Sequence, residues 1–148
     1  MSMVDITEKP EVYRTATAKG RIKLKRETVK LIREGKIEKG DPLYTAKIAG
    51  ILAAKRTSSL IPLCHPIPLT KVDVDVRVAG EETVEAEATV KTKAQTGVEM
   101  EALVAATTAL LTVWDMTKQY EKDEEGQYPT TVILDVRVLR KFKSQSGV

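Results

Sequence analysis

The sequence lacks the features of disulfide-rich, membrane-spanning and secreted proteins. It has one cysteine, Cys64, so no intrachain disulfide can form, which is typical of proteins from a reducing compartment. No stretch approaches the roughly 18 uncharged apolar residues that a membrane span needs. The polar first residues contain no apolar signal core. We therefore expect a soluble, cytoplasmic protein.

Asparagine is absent and aromatic residues make up only 4% of the chain. Because labile amides are few and charged residues reach 30%, the composition is typical of proteins from hot environments. The core must be built from Val, Ile, Leu and Ala. The net charge of +3 lacks the strong basic bias of duplex-binding proteins, which favours a small anionic substrate over nucleic acid.

The spacing of apolar residues predicts the element order β-α-α-β-β-α-β within one domain, residues 1–148. Strands are predicted at 12–24, 71–78, 83–93 and 131–139, and helices at 26–35, 42–55 and from 98 to about 120. Residues 1–11 and 141–148 are predicted to be mobile tails. This order favours an α+β fold with a ferredoxin-like antiparallel sheet and helices packed on one face.

Three local signals refine this prediction. Asp41 and Pro42 are typical of an N-cap and a first helical position, so they mark the start of the second helix. Small residues in that helix, Gly50 among them, allow close packing against a neighbour. Gly20 predicts a bulge or bend in the first strand.

The only histidine, His65, lies in the irregular segment SSLIPLCHPIPL, where three prolines exclude a regular helix or a central strand. A group that carries protons near neutral pH would have to be this side chain, and the prolines hold its backbone still. The alternative is a loop histidine satisfied by the backbone. Neighbouring residues in an extended loop point apart, so Cys64 is predicted to be a small buried thiol rather than a nucleophile activated by His65. One cysteine and one histidine do not make a structural zinc site, and we predict no metal.

Carboxylates mark both ends of the third long helix. Glu99 and Glu101 lie at its start, where simple charge–dipole stabilisation is the alternative to a binding role. They are about 200° apart around the helix, so at most one points into a given pocket. Asp115 is followed at i+3 by Lys118, for which an ordinary surface ion pair is the alternative. We predict a partly buried environment for Asp115 that raises its pKa.

The distance between these carboxylates constrains how they can act. Glu101 and Asp115 are 14 residues apart, which is about 21 Å along a helix. If both act on one small substrate, an oligomer with antiparallel packing has to bring one subunit's Asp115 near another's Glu101. Lys39 and Gly40 precede a helix start where backbone N–H groups can hold phosphate. No Walker-type or dinucleotide-binding glycine pattern is present.

The segments AKIAGILAAKRTSSLIPLCHPIPLTKV, TGVEMEALVAA and VWDMTK, in this order, resemble the MoaC family, the cyclic pyranopterin monophosphate synthases of molybdenum cofactor biosynthesis. The resemblance covers nearly the whole chain. It implies a lyase that converts a cyclic 3′,8-linked dihydro-GTP to cyclic pyranopterin monophosphate and diphosphate. It also implies a homohexamer, a trimer of dimers, with active sites at subunit interfaces. No resident cofactor is expected, and a divalent cation that assists the triphosphate is left open.

The resemblance also implies roles for individual residues. Asp115, Lys39, Lys118 and His65 are the expected catalytic residues. The expected substrate-binding residues are Leu63, Cys64, His65, Glu99, Met100, Glu101, Asp5 and Lys9. Which lysine transfers protons and which holds phosphate is left open.

The tail departs from the family pattern. The family usually carries a lysine before the final Ser-Gly, where this chain has Gln145-Ser146-Gly147. Either Lys143 takes over from two residues earlier or the contact is lost.

A non-catalytic binding module of ferredoxin-like fold, one that binds RNA for example, is the competing hypothesis, with an assembly subunit as a further alternative. The predicted hairpin strands KVDVDVRV and TVEAEATVK offer acidic side chains and no aromatic side chains on which bases could stack. We therefore favour an enzyme.

Overall fold

The computed structural model describes residues 1–146, and within them the chain forms four strands and four helices. In chain order they are β1 (Val12–Lys23), α1 (Arg26–Arg33), α2 (Pro42–Ala54), α3 (Thr57–Leu60), β2 (Lys71–Val78), β3 (Thr83–Ala94), α4 (Glu99–Glu121) and β4 (Val132–Ser144).

The strands form one antiparallel sheet in the order β2-β3-β1-β4. Along β3, buried residues alternate strictly with half-exposed or exposed ones, so a single face of the sheet enters the core. Helix α4 packs across β1 and β3, and α2 packs on β2 and on α4. The predicted α+β class, with a ferredoxin-like sheet and helices on one face, is confirmed.

The start of α2 and its contact with α4 follow the sequence signals closely. The Asp41 carboxylate accepts hydrogen bonds from the N–H groups of Leu43 at 2.9 Å and Tyr44 at 3.2 Å, which confirms the predicted N-cap. A Cβ atom at Gly50 would lie 2.9 Å from the carbonyl oxygen of Ala105 on α4. The small residues of α2 therefore bring its backbone against α4, as predicted.

Gly20 faces an irregularity in the neighbouring strand. Lys19 pairs with Arg137 and Arg21 pairs with Leu134, so two β4 residues stand opposite Gly20. A Cβ atom at Gly20 would lie 2.8 Å from a methyl group of Val136, which is too close for a side chain. The predicted bulge is present, and its extra residue belongs to β4.

Two parts of the chain differ from the prediction. Strand β4 continues to Ser144, five residues beyond the predicted end at Leu139, so residues 141–144 are paired with β1. Because β4 is an edge strand, its last residues, RKFKS, can be polar on both faces, and in the sequence they resemble a tail. The single helical turn α3, at the start of the proline-rich segment, was not predicted. Gly147 and Val148 lie outside the described residues.

None of the helices within residues 1–146 combines the length and the apolar character that crossing a membrane requires.

Candidate active site

Asp115 lies between two lysines near the C-terminal end of α4. Its Oδ1 atom accepts a hydrogen bond from Lys118 Nζ at 2.9 Å, and its Oδ2 atom accepts one from Lys39 Nζ at 3.2 Å. Lys118 is one helical turn away, whereas Lys39 arrives from the turn before α2. We call Lys39, Asp115 and Lys118 the ion-pair cluster. Three of the four expected catalytic residues are thus brought together, and the fourth, His65, lies elsewhere.

The electrostatic state of this cluster differs from the prediction. The Asp115 side chain is 57% exposed, not partly buried in an apolar surrounding. Hydrogen bonds from Lys118 first, and then from Lys39, lower the pKa of Asp115 instead of raising it. The sequence correctly placed Lys118 at i+3, but it contained no sign that Lys39 adds a second cation from 76 residues away. Asp115 is therefore an ionised carboxylate at neutral pH.

Lys118 carries the complementary shift. Its hydrogen bond to Asp115 raises the pKa of Lys118, with further contributions from the charge of Asp115 and from Tyr128. Proton transfer by a lysine of lowered pKa therefore does not fit Lys118. Its fixed positive charge suits phosphate oxygens or a leaving group.

A second group of residues surrounds the first turn of α4, where Glu101 is the buried carboxylate. Glu101 is only 3% exposed, and the Oε1 atom of its side chain has no hydrogen-bond partner within residues 1–146. The Cys64 thiol donates to its Oε2 atom at 3.9 Å. We call Cys64, His65, Glu99, Met100 and Glu101 the helix-start cluster.

Burial controls protonation in this second cluster. Desolvation raises the pKa of Glu101, and the negative charge of Glu99 adds to that effect. Desolvation also raises the pKa of Cys64, with a further contribution from the Glu101 charge. The carboxylate with a raised pKa is therefore Glu101, at the opposite end of α4 from Asp115. Cys64 is half-buried and stays a neutral thiol at neutral pH.

His65 contacts the N-terminal segment. Its Nε2 atom lies 2.6 Å from the carbonyl oxygen of Val4, so the ring is hydrogen-bonded to backbone. This contact places Asp5 next to the helix-start cluster. The Asp5 carboxylate accepts hydrogen bonds from the Thr7 hydroxyl at 2.6 Å and the Thr7 N–H at 2.9 Å, and both lower its pKa. The Gln95 amide donates to the Lys9 carbonyl at 3.1 Å, which holds Lys9 on the same side of the fold.

Exposed apolar side chains and further cations border this cluster. Leu63 and Met100 are 46% and 38% exposed, so both are available to a ligand or to another subunit. Glu99 lines a cavity of about 200 Å³ together with Arg14, Lys141 and Lys143. Arg14 was not predicted as a site residue, because it is one of several basic residues in its strand. Lys143 does reach this region, although it lies two residues before the position of the family's tail lysine.

The two clusters are not joined within one chain. Glu101 and Asp115 occupy the first and last third of α4, about 21 Å apart along its axis. No group of three His, Cys, Asp or Glu side chains among residues 1–146 is arranged to hold a metal ion. The chain therefore provides an ionised carboxylate with two lysines at one end of a helix and a buried carboxyl group at the other.

The ferredoxin-like sheet and the ionisable groups gathered at the two ends of α4 are typical of an enzyme. The chain belongs to the MoaC family, which matches residues 3–144.

Curated relatives agree with this assignment. A Pyrococcus abyssi protein named probable cyclic pyranopterin monophosphate synthase is 61% identical over 146 residues, which is 99% of this chain and 91% of the relative. A Pyrococcus furiosus protein of the same name is 57% identical over 145 residues, 98% of this chain and 92% of the relative. A Methanothermobacter thermautotrophicus protein, named probable cyclic pyranopterin monophosphate synthase accessory protein, is 55% identical over 141 residues, 95% of this chain and 88% of the relative.

Proposed function

We propose that this protein is a cyclic pyranopterin monophosphate synthase. It converts (8S)-3′,8-cyclo-7,8-dihydroguanosine 5′-triphosphate to cyclic pyranopterin monophosphate and diphosphate, an early step of molybdenum cofactor biosynthesis. Membership of the MoaC family and the names of its relatives support the reaction. The observation that carries the assignment of the site is the Asp115 carboxylate held between the ammonium groups of Lys39 and Lys118.

The ring chemistry requires proton transfers, because one nitrogen ring opens and another closes. An ionised Asp115 can accept a proton from the substrate, and a neighbouring lysine limits the cost of its charge. Glu101 holds its proton more tightly because it is buried, so it can act as a donor at the other end of the site. Two carboxyl groups with oppositely shifted pKa values thus divide the acid and base roles.

Closure of the cyclic phosphate requires cations. A sugar hydroxyl attacks the α-phosphorus and passes its proton to a basic group of the site, a new P–O bond forms, and the bond to diphosphate breaks as that group leaves with its negative charge. Fixed positive charges such as Lys118 stabilise this leaving group. Lys39 and His65 complete the proposed catalytic set. The substrate-binding set is Leu63, Cys64, Glu99, Met100, Glu101, Asp5 and Lys9, with Arg14 added from the cavity near Glu99.

We further propose that the complete site forms between subunits of a hexamer. The separation of the two clusters along α4 supports this proposal, because a single chain cannot bring both to one small substrate. Leu63 and Met100, the exposed apolar residues at the helix-start cluster, offer surface for such a contact.

Three further properties belong to the proposal. The enzyme acts without a resident cofactor or metal, it works in the cytoplasm, and it is adapted to heat. The last point rests on the absence of asparagine and on the 30% charged residues. Turnover after dialysis against EDTA tests the first point and is expected to persist, and the effect of added Mg²⁺ shows whether a divalent cation assists the triphosphate.

The experiment that tests the function measures diphosphate release and pterin product for the wild type, Asp115→Asn and a matched control, Asp73→Asn. Asp73 is exposed on β2 and makes no ion pair among the described residues. We expect Asp115→Asn to lower kcat by about 10²-fold or more, and Asp73→Asn to keep the wild-type rate. A folded wild type that releases no diphosphate would contradict the proposed function and leave the accessory role named for one relative.

A further inference from the structure

Lys39 lies in a tight turn that is rigid in itself. The turn, residues 37–40, is closed by a hydrogen bond from the Gly40 N–H to the Ile37 carbonyl at 3.1 Å. Gly40 has a φ of +118°, a conformation that side chains rarely adopt, so glycine is required at this position. Ile37 is 6% exposed and anchors the turn in the core. These features fix the shape of the turn, but they do not fix how it lies against α4.

Besides the contacts of Lys39 itself with Asp115, two hydrogen bonds join this turn to the end of α4, and both engage Glu38, the residue before Lys39. The Glu38 N–H donates to the hydroxyl oxygen of Tyr120 at 2.9 Å. The Gln119 side-chain amide donates to the Glu38 carboxylate, also at 2.9 Å. The Tyr120 ring packs against the hydrophobic core, so its hydroxyl is a fixed point.

We propose that Tyr120 and Gln119 position Lys39 for the reaction by holding Glu38 against α4. This inference rests on the proposed function of the ion-pair cluster. The Lys39 ammonium lies 3.1 Å from the Asp115 carbonyl oxygen and 3.2 Å from its carboxylate. A lysine has a flexible four-carbon stem, so it reaches one geometry only if its backbone is held. A misplacement of about 1 Å in such a site can cost about 10²-fold in rate.

In this arrangement, α4 carries or positions every residue of the ion-pair cluster. Gln119 lies four residues after Asp115 and therefore on the same face of α4. The charged groups that face Asp115 are Lys118 from α4 and Lys39 from the turn. A second carboxylate, that of Glu38, is adjacent to Lys39 in sequence. Its bond to Gln119 holds it away from Lys39, so Asp115 keeps both cations.

The direct test is Tyr120→Phe, which removes only the acceptor oxygen. Tyr13→Phe is the matched control, since the Tyr13 hydroxyl makes no hydrogen bond within residues 1–146. Losing one such hydrogen bond is expected to lower kcat by about threefold to tenfold. The acidic limb of the kcat/KM profile should move to higher pH, because Lys39 helps to lower the pKa of Asp115. The melting temperature should stay at the wild-type value, and Tyr13→Phe should change none of these quantities.

A second pair of variants covers the case in which Tyr120→Phe does not fold. Glu38 is exposed, so its substitution leaves the core intact. Glu38→Ala removes the acceptor for Gln119 and should lower kcat, whereas Glu38→Gln keeps an acceptor oxygen and should restore most of it. The inference would be overturned if the variants lost both rate and melting temperature while the acidic limb of the kcat/KM profile stayed at the wild-type pH. That result would show a merely structural role.

A chemical measurement separates this inference from the proposed function. Competitive acetylation reports how firmly the Lys39 amine is held, with the exposed Lys47 as internal reference. Tyr120→Phe and Glu38→Ala should speed acetylation of Lys39 relative to Lys47. A wild type without turnover would contradict the proposed function. The labelling rates would still show whether Tyr120 and Glu38 hold Lys39 in place. Unchanged labelling in both variants would overturn the inference.

Discussion

The Cys64 thiol lies 3.9 Å from Glu101 Oε2, and the other oxygen of the same carboxyl group is buried without a partner within residues 1–146. Burial raises the pKa of both groups, and the Glu101 charge adds to this effect on Cys64, whereas the hydrogen bond from the thiol partly offsets it on Glu101. A thiol and a carboxyl group in this relationship share a preference for the protonated state, which determines how both should respond to pH and to reagents.

We predict that Cys64 is alkylated slowly at neutral pH, because burial and the Glu101 charge raise its pKa and the thiolate is the reactive form. Glu101→Gln removes that charge and should speed alkylation by iodoacetamide at a given pH. The measurement is the alkylation rate between pH 7 and 9. Faster reaction of the wild type than of Glu101→Gln would contradict the prediction.

Glu101 should make the protein less stable as pH rises. Because its pKa in the folded state is raised, the folded state binds its proton more tightly than the unfolded state. The resulting stability is fully present below the ordinary glutamate pKa of about 4.3 and is lost as pH rises through the folded value. From pH 4 to pH 8, the denaturation midpoint of Glu101→Gln should therefore rise relative to that of the wild type. A difference that does not depend on pH would sink this prediction.

Mixing two inactive variants should restore activity if sites form between subunits. Glu101→Gln and Asp115→Asn each damage one of the two clusters on α4. In a refolded equimolar mixture, about a quarter of shared sites combine an intact Glu101 from one chain with an intact Asp115 from another. We expect about a quarter of wild-type turnover. Activity no higher than that of the separate variants, in mixed oligomers verified by mass, would show that each chain uses its own two clusters.

Glu121 should be a strong determinant of stability. It is fully buried at the end of α4, where it accepts hydrogen bonds from the Lys25 N–H at 3.0 Å, the Thr131 hydroxyl at 2.6 Å and the Thr28 hydroxyl. Glu121→Ala leaves three donors without this acceptor, two of them buried threonine hydroxyls, and should cost about 3 kcal/mol or more. The exposed Glu124→Ala should change the free energy of unfolding by less than about 0.5 kcal/mol. Urea denaturation of both variants provides the comparison, and similar values for the two would contradict the prediction.

The fold was largely predictable because its signals are local. The alternation in Lys71–Val78 identified β2 at its observed bounds, and Asp41 with Pro42 located the start of α2. The end of β4 was missed because an edge strand needs no apolar alternation on its exposed side. There the partner strand, rather than the sequence, determines that Lys143 pairs with Arg14.

The site was less predictable, because its geometry depends on contacts between distant parts of the chain. The i+3 spacing connects Lys118 to Asp115, but Lys39 reaches Asp115 only through the fold. The apolar neighbours of Asp115 in sequence predicted burial, yet they lie on the other side of α4 and leave its carboxylate exposed. Glu101 was expected at a helix start, and its burial follows from the proline-rich segment that covers it with Cys64.

The helix α4 also determines where this chain can change its length. Each inserted residue turns the rest of a helix by about 100° and moves it by about 1.5 Å. One residue added between Glu101 and Asp115 would therefore rotate Asp115 and Lys118 away from Lys39 while leaving the buried Glu101 carboxyl group in place. The charged turn after the helix, at residues 122–127, faces no such constraint. Related chains should therefore differ in length in this turn, whereas the number of residues between Glu101 and Asp115 should stay the same.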